Sequence, residues 1–260
     1  MEVVITPTPD DAARVVADIF TSRLVERPSS VLGLATGSSP RATYRRLIDK
    51  HRKGVISFAR AHAVLLDEYV GLAPDHPHTY RSFIRRELTD QVDLPPDHLY
   101  RPDVWASDLT AACADYERLL GDLGGVDVQL LGIGSDGHIG FNEPGSSLRS
   151  RTRIKTLTKA TRTDNARFFA SAEDVPHHVV TQGLGTISEA RHVVLVAYGE
   201  AKAAPIARAV EGPLAAICPA SVLQLHPHAT VVVDEAAAAD LQLGDYYRET
   251  YAGKPPWQKL

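Results

Sequence analysis

Cysteine is almost missing from this chain: Cys113 and Cys218 are the only two in 260 residues, too few and too far apart for a disulfide framework or a zinc site. Cys113 falls on the packed side of an expected helix, and Cys218 belongs to a loop or strand with no assigned role. Long apolar runs are missing too, and none approaches the length that crosses a membrane. The opening residues, Met1-Glu2-Val3-Val4-Ile5-Thr6-Pro7, lack the basic start and apolar core of an export signal, so a cytoplasmic protein is expected. There is no excess of positive charge either. A net charge of −4 argues against nucleic acid as the main partner. Repeats, low-complexity tracts and an obvious linker are all lacking. With 44% hydrophobic and 23% charged residues, the chain suits one soluble α/β domain over 1–260 with a sizeable core.

What is present is an alternation of short apolar runs with amphipathic stretches. Thr8-Pro9-Asp10-Asp11 supplies a cap, a first-turn proline and acids, and Val15, Val16, Ile19, Phe20 and Leu24 follow at helical spacing, which predicts a helix from about 10 to 26. Val31–Ala35 reads as a buried strand before a helix that ends near Gly54. Ala61–Leu66, Val126–Ile133, His192–Ala197 and Thr230–Val233 read as further strands, with helices over Ser107–Leu120 and about Arg162–Phe169. Strands alternating with helices predict a doubly wound, mostly parallel Rossmann-like sheet covered by helices on both faces. The tail from Tyr246 to Leu260 shows no clear period.

The chemistry concentrates in Leu130–Gly145. Glycines at 132, 134, 137 and 140 permit tight turns, and between them lie Asp136, His138 and, three residues on, Glu143. Three titratable groups on a glycine-rich loop at the end of a parallel strand mark where open α/β sheets hold their sites; a polar surface turn is the plainer alternative. Asp67 closes another strand in the same manner. Thr36-Gly37-Ser38-Ser39-Pro40, ending with Ser39 as a cap, offers N–H groups to a phosphate, or is an ordinary capped helix. No lysine follows the glycine, so it is not a Walker loop. Lys202 in the first turn of a helix opposes the helix dipole and hints at an anion there. His76 and His78 lack metal spacing and read as loop residues. Arg151, Arg153 and Lys155 alternate along an expected exposed strand, as a solvated edge or an anion site would.

Taken together, Leu34–Pro40, Leu66-Asp67-Glu68-Tyr69-Val70-Gly71-Leu72, Gly132–Pro144, Ser150–Leu157 and Leu223-Gln224-Leu225-His226-Pro227 resemble the glucosamine-6-phosphate deaminase family, within the superfamily shared with 6-phosphogluconolactonase. The Asp-Gly-His core is common to both branches. Phe141-Asn142-Glu143-Pro144 and Leu66-Asp67-Glu68-Tyr69 look like the deaminase branch, whereas Ser38 and Ser135 depart from the family's usual residues.

The resemblance implies conversion of glucosamine 6-phosphate to fructose 6-phosphate and ammonia, without metal or organic cofactor. It gives Asp67 the transfer of a proton from C2 towards C1, and His138 the opening of the sugar ring, supported by Asp136 and Glu143. Thr36, Gly37, Ser38, Ser39, Arg167 and Lys202 would hold the substrate phosphate. A carboxylate partly desolvated by closure suits abstraction of a proton beside a carbonyl, and an imidazole suits ring opening near neutral pH. In members that form hexamers activated by N-acetylglucosamine 6-phosphate, residues matching Ser146, Ser147, Arg153 and Lys155 bind the activator. Arg153 and Lys155, two apart on a strand, project from one face. This implies a homo-oligomer, a hexamer by analogy, with a solvated basic edge as the alternative. The rivals for the function as a whole are a lactonase-type hydrolase, which would not require Asp67 or Glu143, and a sugar-phosphate sensor without turnover.

Overall fold

The structure, a computed structural model, describes residues 1–166, 169, 171, 173–255, 258 and 260. Its main sheet is wholly parallel. It is built from β1 (Glu2–Thr6), β2 (Val31–Leu34), β3 (His62–Leu65), β5 (Leu99–Tyr100), β6 (Val128–Leu131), β9 (His192–Ala197) and β10 (Ala229–Asp234), in the order β1-β10-β9-β6-β2-β3-β5. Every residue of β2, β6, β9 and β10 is buried, so both faces of the sheet are covered, as the alternating sequence pattern predicts. Helix α1 (Pro9–Glu26) begins where expected, with Thr8 Oγ1 accepting from the Asp11 N–H at 3.1 Å. It packs on α2 (Pro40–Arg52) and on β1, β9 and β10.

β2 lies between β3 and β6. The chain runs outward from β2 through β3 to β5, then returns to β6 on the other side and runs outward through β9. This reversal opens a crevice beyond the carboxyl ends of β2 and β6, at Ala35-Thr36 and Gly132-Ile133.

A second sheet, antiparallel, was not foreseen. β4 (Asp67–Tyr69), β8 (His178–Thr181) and β7 (Arg153–Thr156) form it in the order β4-β8-β7. Asp67 is therefore not the tail of the strand before it. It opens a strand of its own, paired with Thr181, while Glu68 pairs with Val180 and Tyr69 with Val179.

Other expectations are corrected. Ser39 has helical angles (φ −62°, ψ −42°) and its side chain makes no capping hydrogen bond. The helix expected over 162–169 is α5 (Lys159–Asn165), started by Thr158, whose Oγ1 accepts from the Thr161 N–H at 3.1 Å. Helix α3 (Tyr80–Glu87) begins after Thr79, and α4 (Leu109–Asp122) carries the buried Cys113 as expected. Lys202 ends a short 3₁₀ turn and stands before the helix α7 (Ala203–Val210), which follows the short α6 (Leu184–Ser188). The tail forms α8 (Gly244–Ala252), which packs on the edge strand β1, and Lys254 Nζ bonds Glu2 at 2.7 Å beside it.

The exit of β2 into the crevice is held by a fully buried tyrosine. Tyr44 Oη donates to the Ala35 carbonyl (2.6 Å) and accepts from the Ala35 N–H (3.1 Å). Tyr44→Phe leaves both backbone groups unpaired in a dry setting, so it should lower unfolding free energy by about 1–3 kcal/mol in urea denaturation. Unchanged stability would show that the hydroxyl does not hold this exit.

Candidate active site

A cavity of about 700 Å³ fills the crevice. Its lining includes the hydroxyl loop, Thr36, Gly37, Ser38 and Ser39, together with Asp67, the glycine-rich loop with His138, and Lys202. Seven of the residues singled out from the sequence thus meet in one space. Asp136 and Glu143 are not among its lining residues, and Arg167 lies outside the described residues.

Asp67 is buried. Burial first, and then the neighbouring Glu68 charge, push its carboxyl well above the ordinary aspartate range. Beside it, position 140 is glycine. A Cβ there would lie 3.0 Å from Thr181 Oγ1 and 3.7 Å from Asp67 Oδ2, and the backbone sits at φ +55°.

His138 closes a tight turn. The Gly134 N–H donates to the His138 carbonyl (2.9 Å) and the Gly137 N–H to the Gly134 carbonyl (3.1 Å). Asp136 Oδ1 accepts from the His138 N–H (3.1 Å) and from its Nδ1 (2.6 Å). A carboxylate can only accept, so Nδ1 carries the proton and Nε2 is left to exchange one with a ligand. Burial alone would raise the Asp136 carboxyl, but the bond to His138 and its charge outweigh that and hold it below the ordinary range. A Cβ at Gly134 would sit 2.1 Å from His138 Cε1, so only glycine lets the ring lie across the loop.

Glu143 does not bond His138. It accepts from the hydroxyls of Thr161 and of Thr158 (3.4 Å), and so ties the start of α5 to the loop. Lys202 Nζ donates to the Ile133 carbonyl at 2.7 Å. Cys218 is buried under the turn, against the Gly137 Cα.

The wall formed by His78, Tyr80, Phe83 and Arg86 went unread in the sequence. Tyr80, Phe83 and Arg86 recur every three residues on α3, a spacing that could have marked a common face. Tyr80 stacks on Phe141 (centroids 6.0 Å apart, planes at 9°) and bonds the Tyr69 hydroxyl at 3.2 Å.

The second anion site foreseen at Ser146, Ser147, Arg153 and Lys155 lies away from this lining. Arg153 and Lys155 are half-buried on β7, whereas Ile154 between them and Thr156 after them are exposed, so the basic pair faces inward rather than forming the exposed edge expected. Arg153 Nη1 donates to the Arg151 carbonyl (3.3 Å), and the buried Ser146 hydroxyl has no partner among the described residues. No group of three or more His, Cys, Asp or Glu side chains among the described residues could hold a metal ion. No helix there is long and apolar enough to cross a membrane.

Residues 8–233 match the family described as glucosamine-6-phosphate isomerases/6-phosphogluconolactonase. This chain belongs to that family. A glucosamine-6-phosphate deaminase of Arthrobacter sp. (strain FB24) is 58% identical over 260 residues, the full length of both chains. A solved monomeric glucosamine-6-phosphate deaminase is 41% identical and superposes with a TM-score of 0.90 over 92% of this chain and 100% of that one. The 6-phosphogluconolactonase of Trypanosoma brucei, 20% identical with a TM-score of 0.75 over 92% and 98%, shares the fold. Within the family's fold, the site described here joins a buried carboxyl, a carboxylate-held imidazole and a hydroxyl loop.

A raised carboxyl is most at home in the folded protein while protonated, so it favours the fold below the ordinary aspartate range and that benefit is lost as pH rises through its folded value. Asp67→Asn removes the cost of a buried charge. The variant should melt close to the parent near pH 4 and at a higher temperature than the parent at pH 8, as thermal scans across that range would show; a pH-independent difference would contradict the burial argument.

Proposed function

We propose that this protein converts glucosamine 6-phosphate and water to fructose 6-phosphate and ammonia. The observation that carries the reading is one cavity lined by a buried carboxyl, Asp67, an imidazole with its free nitrogen available, His138, and a hydroxyl loop beside Lys202. His138 would move a proton at the ring oxygen and O1 to open the sugar, with Asp136 holding its tautomer. Asp67 would take the C2 proton of the open chain and return it at C1. The resulting imine at C2 would take up water and expel ammonia. Ring opening, proton transfer and hydrolysis of the imine involve no net oxidation or reduction, so the chain's own acids and bases with water suffice and no cofactor is invoked. The hydroxyl loop, Lys202 and Arg167 would hold the phosphate in ground and transition states alike. We place the activity in the cytoplasm, with the whole chain, 1–260, acting as one unit.

Asp67→Asn keeps the shape of the base and removes its proton affinity. Ammonia release should fall by at least about a thousandfold, solvent exchange at C2 should vanish, and glucosamine lacking phosphate should be a very poor substrate for the parent. A variant that still deaminates near the parent's rate would remove Asp67 from its role.

We also propose that Ser146, Ser147, Arg153 and Lys155 bind the phosphate of N-acetylglucosamine 6-phosphate in a homo-oligomer, a hexamer. The inward-facing cations and the buried Ser146 hydroxyl, without a partner among the described residues, support this. Substrate saturation should be sigmoidal and become hyperbolic with that compound, because an activator must bind the active state more tightly. A monomer by sedimentation with hyperbolic kinetics indifferent to the compound would leave these four residues as structure only.

A further inference from the structure

Asp67 is followed by a second carboxylate whose role nothing above explains. Glu68 is completely buried, and neighbours on a strand point to opposite faces, so Glu68 faces away from the cavity that Asp67 lines. Its Oε1 accepts from the N–H groups of Tyr69 (2.9 Å) and Tyr80 (2.8 Å), and its Oε2 from that of Arg81 (3.1 Å). Arg101 Nη1 stands 3.5 Å from Oε2, with its guanidinium 4.0 Å over the Trp105 ring. Tyr80 and Arg81 are the first two residues of α3, whose N–H groups have no partner within the helix. One side chain therefore joins the strand of Asp67 to the helix that carries Tyr80, Phe83 and Arg86 into the cavity.

We propose that Glu68 is a positioning residue for Asp67: it pins the α3 wall to the strand that bears the base, and its charge, balanced by Arg101 behind it, sets the field in which Asp67 holds a proton. The inference rests on the reading of Asp67 as the base. Several titratable groups among the described residues face Asp67. Tyr69 lies on its own strand, Tyr80 comes from α3 and Tyr116 from α4, and burial keeps all three hydroxyls protonated at neutral pH. His138, held by Asp136, faces the same cavity, as do the cations Lys202 and Arg86. Glu68 is the carboxylate on the neighbouring residue, and after burial it is the second cause that raises the Asp67 carboxyl. Burial lifts the Glu68 carboxyl above the ordinary glutamate range, and three N–H donors and Arg101 offset part of that lift. A base is most effective when its proton affinity approaches the working pH, so a carboxylate behind Asp67 serves abstraction from carbon.

A mere helix cap and a charge-setting residue give different results when the two ends of the ion pair are changed separately. The Asp67 carboxyl carbon can be followed by ¹³C NMR across pH in the full chain, in Glu68→Gln and in Arg101→Gln, with its resonance assigned by its loss in Asp67→Asn. Its midpoint should move to lower pH in Glu68→Gln and to higher pH in Arg101→Gln, and kcat for glucosamine 6-phosphate should fall roughly tenfold in Glu68→Gln. Midpoints that stay put, or move the same way in both variants, overturn the proposal. If Glu68→Gln does not fold, the upward movement in Arg101→Gln decides alone. Ammonia release by the parent tests the reaction separately: a parent that releases none removes that reading, while the titration still decides the coupling.

Discussion

A carboxyl group kept from water governs the rest of this molecule. Placing Asp67 in a dry setting costs free energy that folding must offset elsewhere, because a buried polar group is tolerated only among partners and close packing. The offset comes from a small antiparallel sheet fastened over the carboxyl ends of the parallel one. β4 is three residues long, yet all three are buried, and it is paired through its whole length with β8. Without that sheet, Asp67 would be an exposed residue at the end of β3.

The main architecture was legible because parallel strands buried on both faces leave an unbroken apolar signature, as in His192–Ala197. The site loops were legible for a related reason: glycine, hydroxyl and acid residues cluster where strands end. The small sheet was hidden. Asp67-Glu68-Tyr69 carries two acids in three residues and does not resemble a strand, while β7 was legible as a strand from its alternating basic residues but not as a partner in a sheet; both are held by pairing with β8. The helix over the tail was missed because its hold on the fold is tertiary. Tyr247 and Tyr251 pack against the core four residues apart, and Lys254 reaches Glu2 across nearly the whole chain. Ser39 misled through a weak rule, since a serine before proline suits a cap but here already has helical angles. The His78–Arg86 wall was obscured because its residues differ in kind and share only a helix face.

The turn that presents His138 is not rigid through its own two hydrogen bonds alone. Its alternate carbonyls are all taken from the segment that follows β9. Lys202 Nζ takes Ile133 (2.7 Å), Arg208 Nη2 takes Ser135 (2.9 Å) and the Ala220 N–H takes Gly137 (2.9 Å). Within the same turn the side chains of Asp136 and His138 bond each other. The same register explains the buried Cys218. Its sulfur fills the place a side chain at 137 would occupy, so glycine and cysteine are complementary there, and burial pushes the thiol up, away from reactivity.

These two supports, the small sheet beneath Asp67 and the clamped turn beneath His138, meet at Thr181. Its backbone pairs with Asp67 on one side and Arg153 on the other, and its hydroxyl accepts the Phe141 N–H at 3.1 Å. The next residue continues the junction. The Gln182 N–H donates to the Leu66 carbonyl (2.7 Å), its Nε2 to the Leu65 carbonyl (3.0 Å), and its own carbonyl accepts from Asn142 Nδ2 (2.9 Å). The acid and the imidazole arrive from strands in different sheets, so their spacing cannot be set by either sheet alone. It is set where β8 ends, by two buried polar residues that bond the strand before Asp67 and the loop after His138 at once. A displacement of β8 along its axis would therefore move both groups together, whereas separating them requires breaking buried hydrogen bonds with no water to replace them.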